Sequence, residues 1–172
     1  LELANDRVCA KTLDNRIGCY QLIESLKEND GTWLNDVYYV FGVQEELGCR
    51  GAKTAAFTVQ PNIALVLEAT TANDIADTPP EKAVCLAGSG AVVSFMDRAT
   101  LYDRELFELA LATAAEQKIA VQTKNAVAGG NNAGAISLSG AGVRTLALSL
   151  PCRYIHSPSG VASFEDCKAL QA

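Results

Sequence analysis

The chain has 172 residues, enough for one sizeable core and too few to require two domains. Hydrophobic residues make up 49% and charged residues 20%, the balance of a soluble globular protein. A net charge of -6, with basic residues scattered rather than clustered, excludes an electrostatic partnership with nucleic acid or an anionic membrane and suits cations better than phosphates.

In chain order, Val8–Lys11 reads as a short strand, and Asp14-Asn15-Arg16 opens a helix over about 17–28, with Cys19, Leu22, Ile23 and Leu26 at helical spacing. Asn29-Asp30-Gly31 ends it. The apolar run Val37–Val43 predicts a buried strand over 36–44, followed by a loop at 45–48 and a short helix near 51–58. Ile63–Leu67 predicts a second buried strand, ending at Glu68, and residues 70–90 form the longest irregular stretch. A strand over 91–96 and a helix over about 102–118 follow, the helix opened by a capping box of Thr100 and Asp103. A strand near 119–124, a Gly-rich turn at 129–134 and a strand over 143–150 complete the core, and Ser163 with Asp166 caps a terminal helix. Alternating strands and helices imply an α/β fold, a single domain over 1–172. Unbroken apolar strands imply a mainly parallel sheet covered on both faces. No segment approaches a membrane span and no signal peptide is visible. The six cysteines show no CxxC pair or disulfide spacing, which points to a reduced, cytoplasmic setting.

The candidate polar residues gather where open α/β sheets bind ligands, outside the carboxyl ends of the strands. Glu45 and Glu46 follow one strand, Glu68 the next, and His156, the only histidine, lies six residues past the last. Adjacent carboxylates at the rim of a core repel each other, and a multivalent cation relieves that repulsion, leaving one carboxylate to bind it and the other to handle protons. Two solvated loop glutamates would give the same letters. Asp14 is either a helix cap or a carboxylate shared by two cations. Carboxylates with an imidazole suit zinc, cobalt or manganese better than calcium. The glycines at 129–134 serve either a turn or a close backbone approach to a ligand.

The segments Leu13-Asp14-Asn15-Arg16-Ile17-Gly18-Cys19, Val43-Gln44-Glu45-Glu46-Leu47-Gly48, Arg50-Gly51-Ala52-Lys53, Gly129-Gly130-Asn131-Asn132-Ala133-Gly134-Ala135-Ile136 and Arg153-Tyr154-Ile155-His156-Ser157-Pro158 occur in that order. Together they resemble the tetrahedral/glutamyl aminopeptidase family of cytosolic two-metal exopeptidases, whose members have often been labelled endoglucanases. The resemblance implies a zinc-peptidase fold acting on peptide substrates with two divalent ions. In it Asp14 would bridge the metals, and Glu45 would be the general base. Glu46 and His156 would complete one metal's ligands, and Glu68 would serve the other. Gly130, Asn131 and Asn132 would border the substrate.

Three departures from the family pattern matter. Glu68 stands where many members have Asp, Asn132 where Asp is usual, and Ser137 where His is common. Family members are about twice as long, beginning with a segment that carries another metal-ligand histidine and an inserted β-rich oligomerisation domain. With one histidine, this chain lacks an imidazole for the second site. It is therefore expected to be the C-terminal part of a catalytic domain, weak or inactive alone, and partnered by an N-terminal segment or a second copy. The alternative is a non-catalytic metal-binding or interaction module derived from the same fold. A glycoside hydrolase using two carboxylates is a third reading, which predicts activity that survives chelators.

Overall fold

The computed structural model describes all residues from Leu1 to Ala172. Seven strands and five α-helices are present: β1 (Glu2–Leu3), β2 (Arg7–Ala10), α1 (Leu13–Glu28), α2 (Arg50–Val59), β3 (Ile63–Thr71), β4 (Ala91–Val93), α3 (Arg104–Gln117), β5 (Val121–Thr123), α4 (Asn132–Ser137), β6 (Arg144–Cys152), β7 (Gly160–Ser163) and α5 (Phe164–Gln171). The main sheet runs β3-β6-β4-β5, and a small antiparallel sheet runs β1-β2-β7.

The α/β class is borne out, but the main sheet is mixed. β3 runs parallel to β6 and β4 parallel to β5, while β4 and β6 are antiparallel. The reason lies in the connection from β3 to β4. Parallel neighbours need a crossover that returns the chain to its starting edge. Residues 72–90 contain only the 3-10 turn Pro80–Lys82, so the chain comes back reversed. By contrast, α3 supplies a crossover between β4 and β5, and that pair is parallel.

The main core joins Val66, Val93, Tyr102, Leu106, Ala133 and Leu146. On β3 the period of two puts Val66, Glu68 and Thr70 on one buried side. Glu68 is thus in the interior of a nine-residue strand and 4% exposed, not at a strand end.

Two further expectations are corrected. Residues 36–44 form no regular element and pair with no strand, Gln44 is left-handed (φ 58), and Val37, Tyr38, Val40, Phe41 and Val43 are exposed. An apolar run is buried only where another element covers it, and here none does. In α1 the helical period holds, but the buried positions are Gly18 and Gln21, while Cys19, Ile23 and Leu26 face outward. Gln21 takes the inner position because its Nε2 donates to the Cys167 carbonyl on α5 at 2.9 Å.

Capping follows the predicted chemistry with shifts in detail. Asp103, rather than Thr100, caps α3 by accepting from the Leu106 N–H at 3.0 Å. Ser163 caps α5, and Asp166 instead accepts the Gly88 and Gly90 N–H groups at 2.7 Å each. That pair of bonds fixes the long β3–β4 connection to the terminal helix.

Candidate metal centre

Three elements bring three ligating side chains together. Asp14 sits at the start of α1, where it and Asn15 leave helical geometry (ψ 111 and 50). Glu46 lies in the turn after residues 36–44, a turn closed by the Gly48 and Cys49 N–H groups donating to the Glu45 carbonyl at 2.9 Å each. His156 belongs to the loop between β6 and β7 and is itself left-handed (φ 60).

Nε2 of His156 lies 3.1 Å from Oδ2 of Asp14 and 3.3 Å from Oε1 of Glu46. All three donor atoms fall within 4.8 Å of one another. Zinc bonds of roughly 2.0–2.1 Å in tetrahedral geometry put ligand atoms about 3.3 Å apart, and the two His156 separations match that spacing, so the chemistry and spacing of these residues fit one divalent cation. The Asp14 side chain is 18% exposed, and those of Glu46 and His156 are 61% and 65% exposed, so the donors open outward to solvent.

The electrostatics carry the mark of an uncompensated anionic cluster. Burial, then Glu46, push the Asp14 carboxyl above its usual range, and His156 opposes them. Burial, Glu46 and Asp14 likewise push Glu45 up, opposed by the Cys49 thiol, which donates to Oε1 of Glu45 at 3.8 Å. Glu68 is raised to about 8, chiefly by burial and then by Glu45, Asp14 and Glu46. Each of these shifts disfavours negative charge, and a divalent cation held there would supply the missing positive charge.

Glu68 stands outside the cluster of three donors. Its nearest polar partner is Asn132, whose Nδ2 donates to Oε1 at 3.4 Å. Two other pocket candidates also make contacts within the fold. Asn131 caps α4 by accepting from the Ala133 N–H at 2.8 Å and donates to the Tyr102 hydroxyl at 2.9 Å. A Cβ on Gly130 or Gly134 would come within 3.2 or 2.9 Å of the Ala99 Cβ, so these glycines admit the turn at Ala99.

Sequence reasoning missed the supports of the centre. Arg153, three residues before His156, forms a two-pronged ion pair with Asp74 at 2.7 and 2.8 Å, and Asp74 also accepts the Ala87 N–H. Asp97 accepts the Ala99 and Thr100 N–H groups and the Tyr102 hydroxyl, setting the turn against which α4 begins. An Asp placed two and three residues before the N–H groups that it accepts, the spacing of an Asx turn, was the available signal for Asp97. Nothing local linked Asp74 to Arg153.

A family model described as M42 glutamyl aminopeptidase matches residues 1–172. The chain belongs to that family. It is similar to the lysyl aminopeptidase of Pyrococcus furiosus, with 32% identity over 168 residues that cover 95% of this chain and 46% of the relative. Among solved structures it resembles the aminopeptidase APDkam598 of Desulfurococcus kamchatkensis, with TM-score 0.92 and 29% identity over 99% of this chain and 48% of that one. It also resembles the TET1 peptidase of Pyrococcus horikoshii, described as assembling into a tetrahedron or a large octahedral shell. That match has TM-score 0.84 and 29% identity over 98% of this chain and 49% of that one. The chain spans about half the length of the curated relatives it matches. No helix of this M42 family member is long and apolar enough to cross a membrane.

Proposed function

We propose that this chain forms the C-terminal part of the catalytic domain of a metal-dependent aminopeptidase, which removes N-terminal residues from peptides. The observation that carries this reading is the convergence of Asp14, Glu46 and His156 within 4.8 Å, with Glu45 beside them. Divalent ions such as zinc, cobalt or manganese would lower the pKa of a bound water toward about 7 and polarise the scissile carbonyl. Asp14, Glu46 and His156 would hold the cation. Glu45, half-buried and with its proton affinity raised by burial and by its acidic neighbours, accepts a proton at its carboxylate during attack. The Cys49 thiol steadies one oxygen of that carboxylate.

Asp14 with Glu68 is the proposed location of a second cation. Only one histidine exists in the chain, so this site has carboxylates alone. Asn132 is the member of the Gly130–Asn132 turn that hydrogen-bonds to Glu68. Peptides are the proposed substrates, and a second copy or the family's additional chain length is the proposed partner.

The single imidazole also favours a second reading, a non-catalytic cation-binding module. Calorimetric titration with Co2+ and hydrolysis of aminoacyl anilides separate the two. Two ions per chain with turnover support the aminopeptidase, whereas one ion without turnover supports the module. Turnover that persists after exhaustive chelation would defeat both.

A further inference from the structure

Asn15 links the main-chain segments that carry two carboxylates, Asp14 at the start of α1 and Glu68 on β3. It follows Asp14 in the chain, and its Nδ2 donates to the Leu67 carbonyl, the residue before Glu68, at 2.8 Å. Its Oδ1 accepts from the Gly18 N–H at 3.0 Å. The closeness depends on glycine, since a Cβ at position 18 would sit 2.3 Å from the Leu67 carbonyl oxygen and 2.6 Å from both heteroatoms of the Asn15 amide. Asp14 and Asn15 lie outside helical geometry, so the regular turns of α1 do not themselves orient Asp14. One side-chain amide, spent on both of its hydrogen-bonding ends, ties the irregular first turn to the middle of β3.

We infer that Asn15 is a positioning residue for the cation centre, with its amide fixing the Asp14 carboxylate against His156 and Glu46 and in register with Glu68. This deepens the reading of Asp14, Glu46 and His156 as a cation site and rests on it. Asn15 touches none of the proposed ligand side chains through its own amide. Its effect passes through the main chain of its neighbours, as with outer-shell groups that orient metal ligands.

His156 is the only histidine, so ring-selective labelling gives a single Cε1 resonance, readable without any cation. Asp14→Ala defines where that resonance lies once the ring has lost its nearest carboxylate. Asn15→Ser keeps a short acceptor for the Gly18 N–H but cannot reach Leu67, and it is expected to move the resonance at least halfway to that position. It is also expected to weaken Co2+ binding, measured by calorimetry, by about 10–100-fold. Gly18→Ala attacks the same contact from the other side and should reproduce both effects, which keeps the test open should one variant not fold. Leu146→Ala, in the main core, lowers stability without touching the contact and should leave the resonance in place. A His156 resonance unmoved in Asn15→Ser, or moved equally by Leu146→Ala, overturns the inference. So does a resonance unmoved in Asp14→Ala. If the wild-type chain binds no Co2+, the cation reading fails, and the resonance alone decides the role of Asn15.

Discussion

Arg153 grips both carboxylate oxygens of Asp74, at 2.7 and 2.8 Å, three residues before His156. The pair bridges the end of β6 to the β3–β4 connection, and Asp74 adds a bond from the Ala87 N–H at 2.9 Å. Burial opposes ionisation of Asp74, but Arg153 and that N–H together hold its carboxyl below the usual range. A carboxyl depressed in the folded state contributes stability above its unfolded value, near 3.9, and that contribution is lost as pH falls through the lower folded value. Asp74→Asn is expected to cost about 1.5–3 kcal/mol at pH 7. Denaturant melts at stepped pH should show the gap from wild type closing below about pH 4. A constant gap from pH 7 to pH 2 would contradict this account.

Glu68 gives the opposite sign. Its folded value, about 8, lies above the unfolded one, so its proton-linked stability is complete below the unfolded value and is lost as pH rises through 8. In cation-free protein, Glu68→Gln should match wild type near pH 4 and exceed it by about 2–4 kcal/mol at pH 8 to 9. Thermal melts in chelator across that range test this, and a variant less stable than wild type at pH 8 would refute it.

His156→Ala removes one of the three converging donors. Loss of an outer-shell partner already costs roughly 10–100-fold in metal affinity, so removing a direct ligand should cost more than about 100-fold. Competition for Co2+ against a chromophoric chelator measures the loss. The melting temperature without cation should barely move, because the side chain is 65% exposed.

The irregular residues 36–44 supply little to the fold of the isolated chain. Replacing Tyr38, Phe41 and Val43 together by Ser is expected to change stability by less than about 0.5 kcal/mol per site. It should also reduce concentration-dependent association in sedimentation runs, because it removes an exposed apolar patch. Cooperative loss of structure in the triple variant would show instead that the segment is part of the core.

Much of this was legible from residue order. Strands at β3, β5 and β6, the helix at α3 and the pairing of Asp14 and Glu46 with His156 follow from apolar runs, capping residues and family-like motifs. Other features depend on partners far along the chain. The outward face of α1 reflects Gln21 meeting α5, and the mixed sheet reflects a connection without a crossover helix. The two-residue β1 and the β7 pairing carry too short a pattern to register. At Val37–Val43, apolar composition was a false sign of both strand and burial, because no neighbouring element pairs with or covers the segment.

β3 is bonded to β6 along all nine residues and to no strand on its other side. Soluble proteins commonly guard such a border with lysine, proline or a bulge, and Ile63–Thr71 contains neither residue. Its one charge, Glu68, is turned inward and cannot repel an approaching backbone. Main-chain pairing along the part of this border that Asn15 and Gly18 do not occupy at Leu67 is the expected route of association in concentrated solutions, and a lysine at the outward Leu65 is the simplest way to keep this polypeptide dispersed.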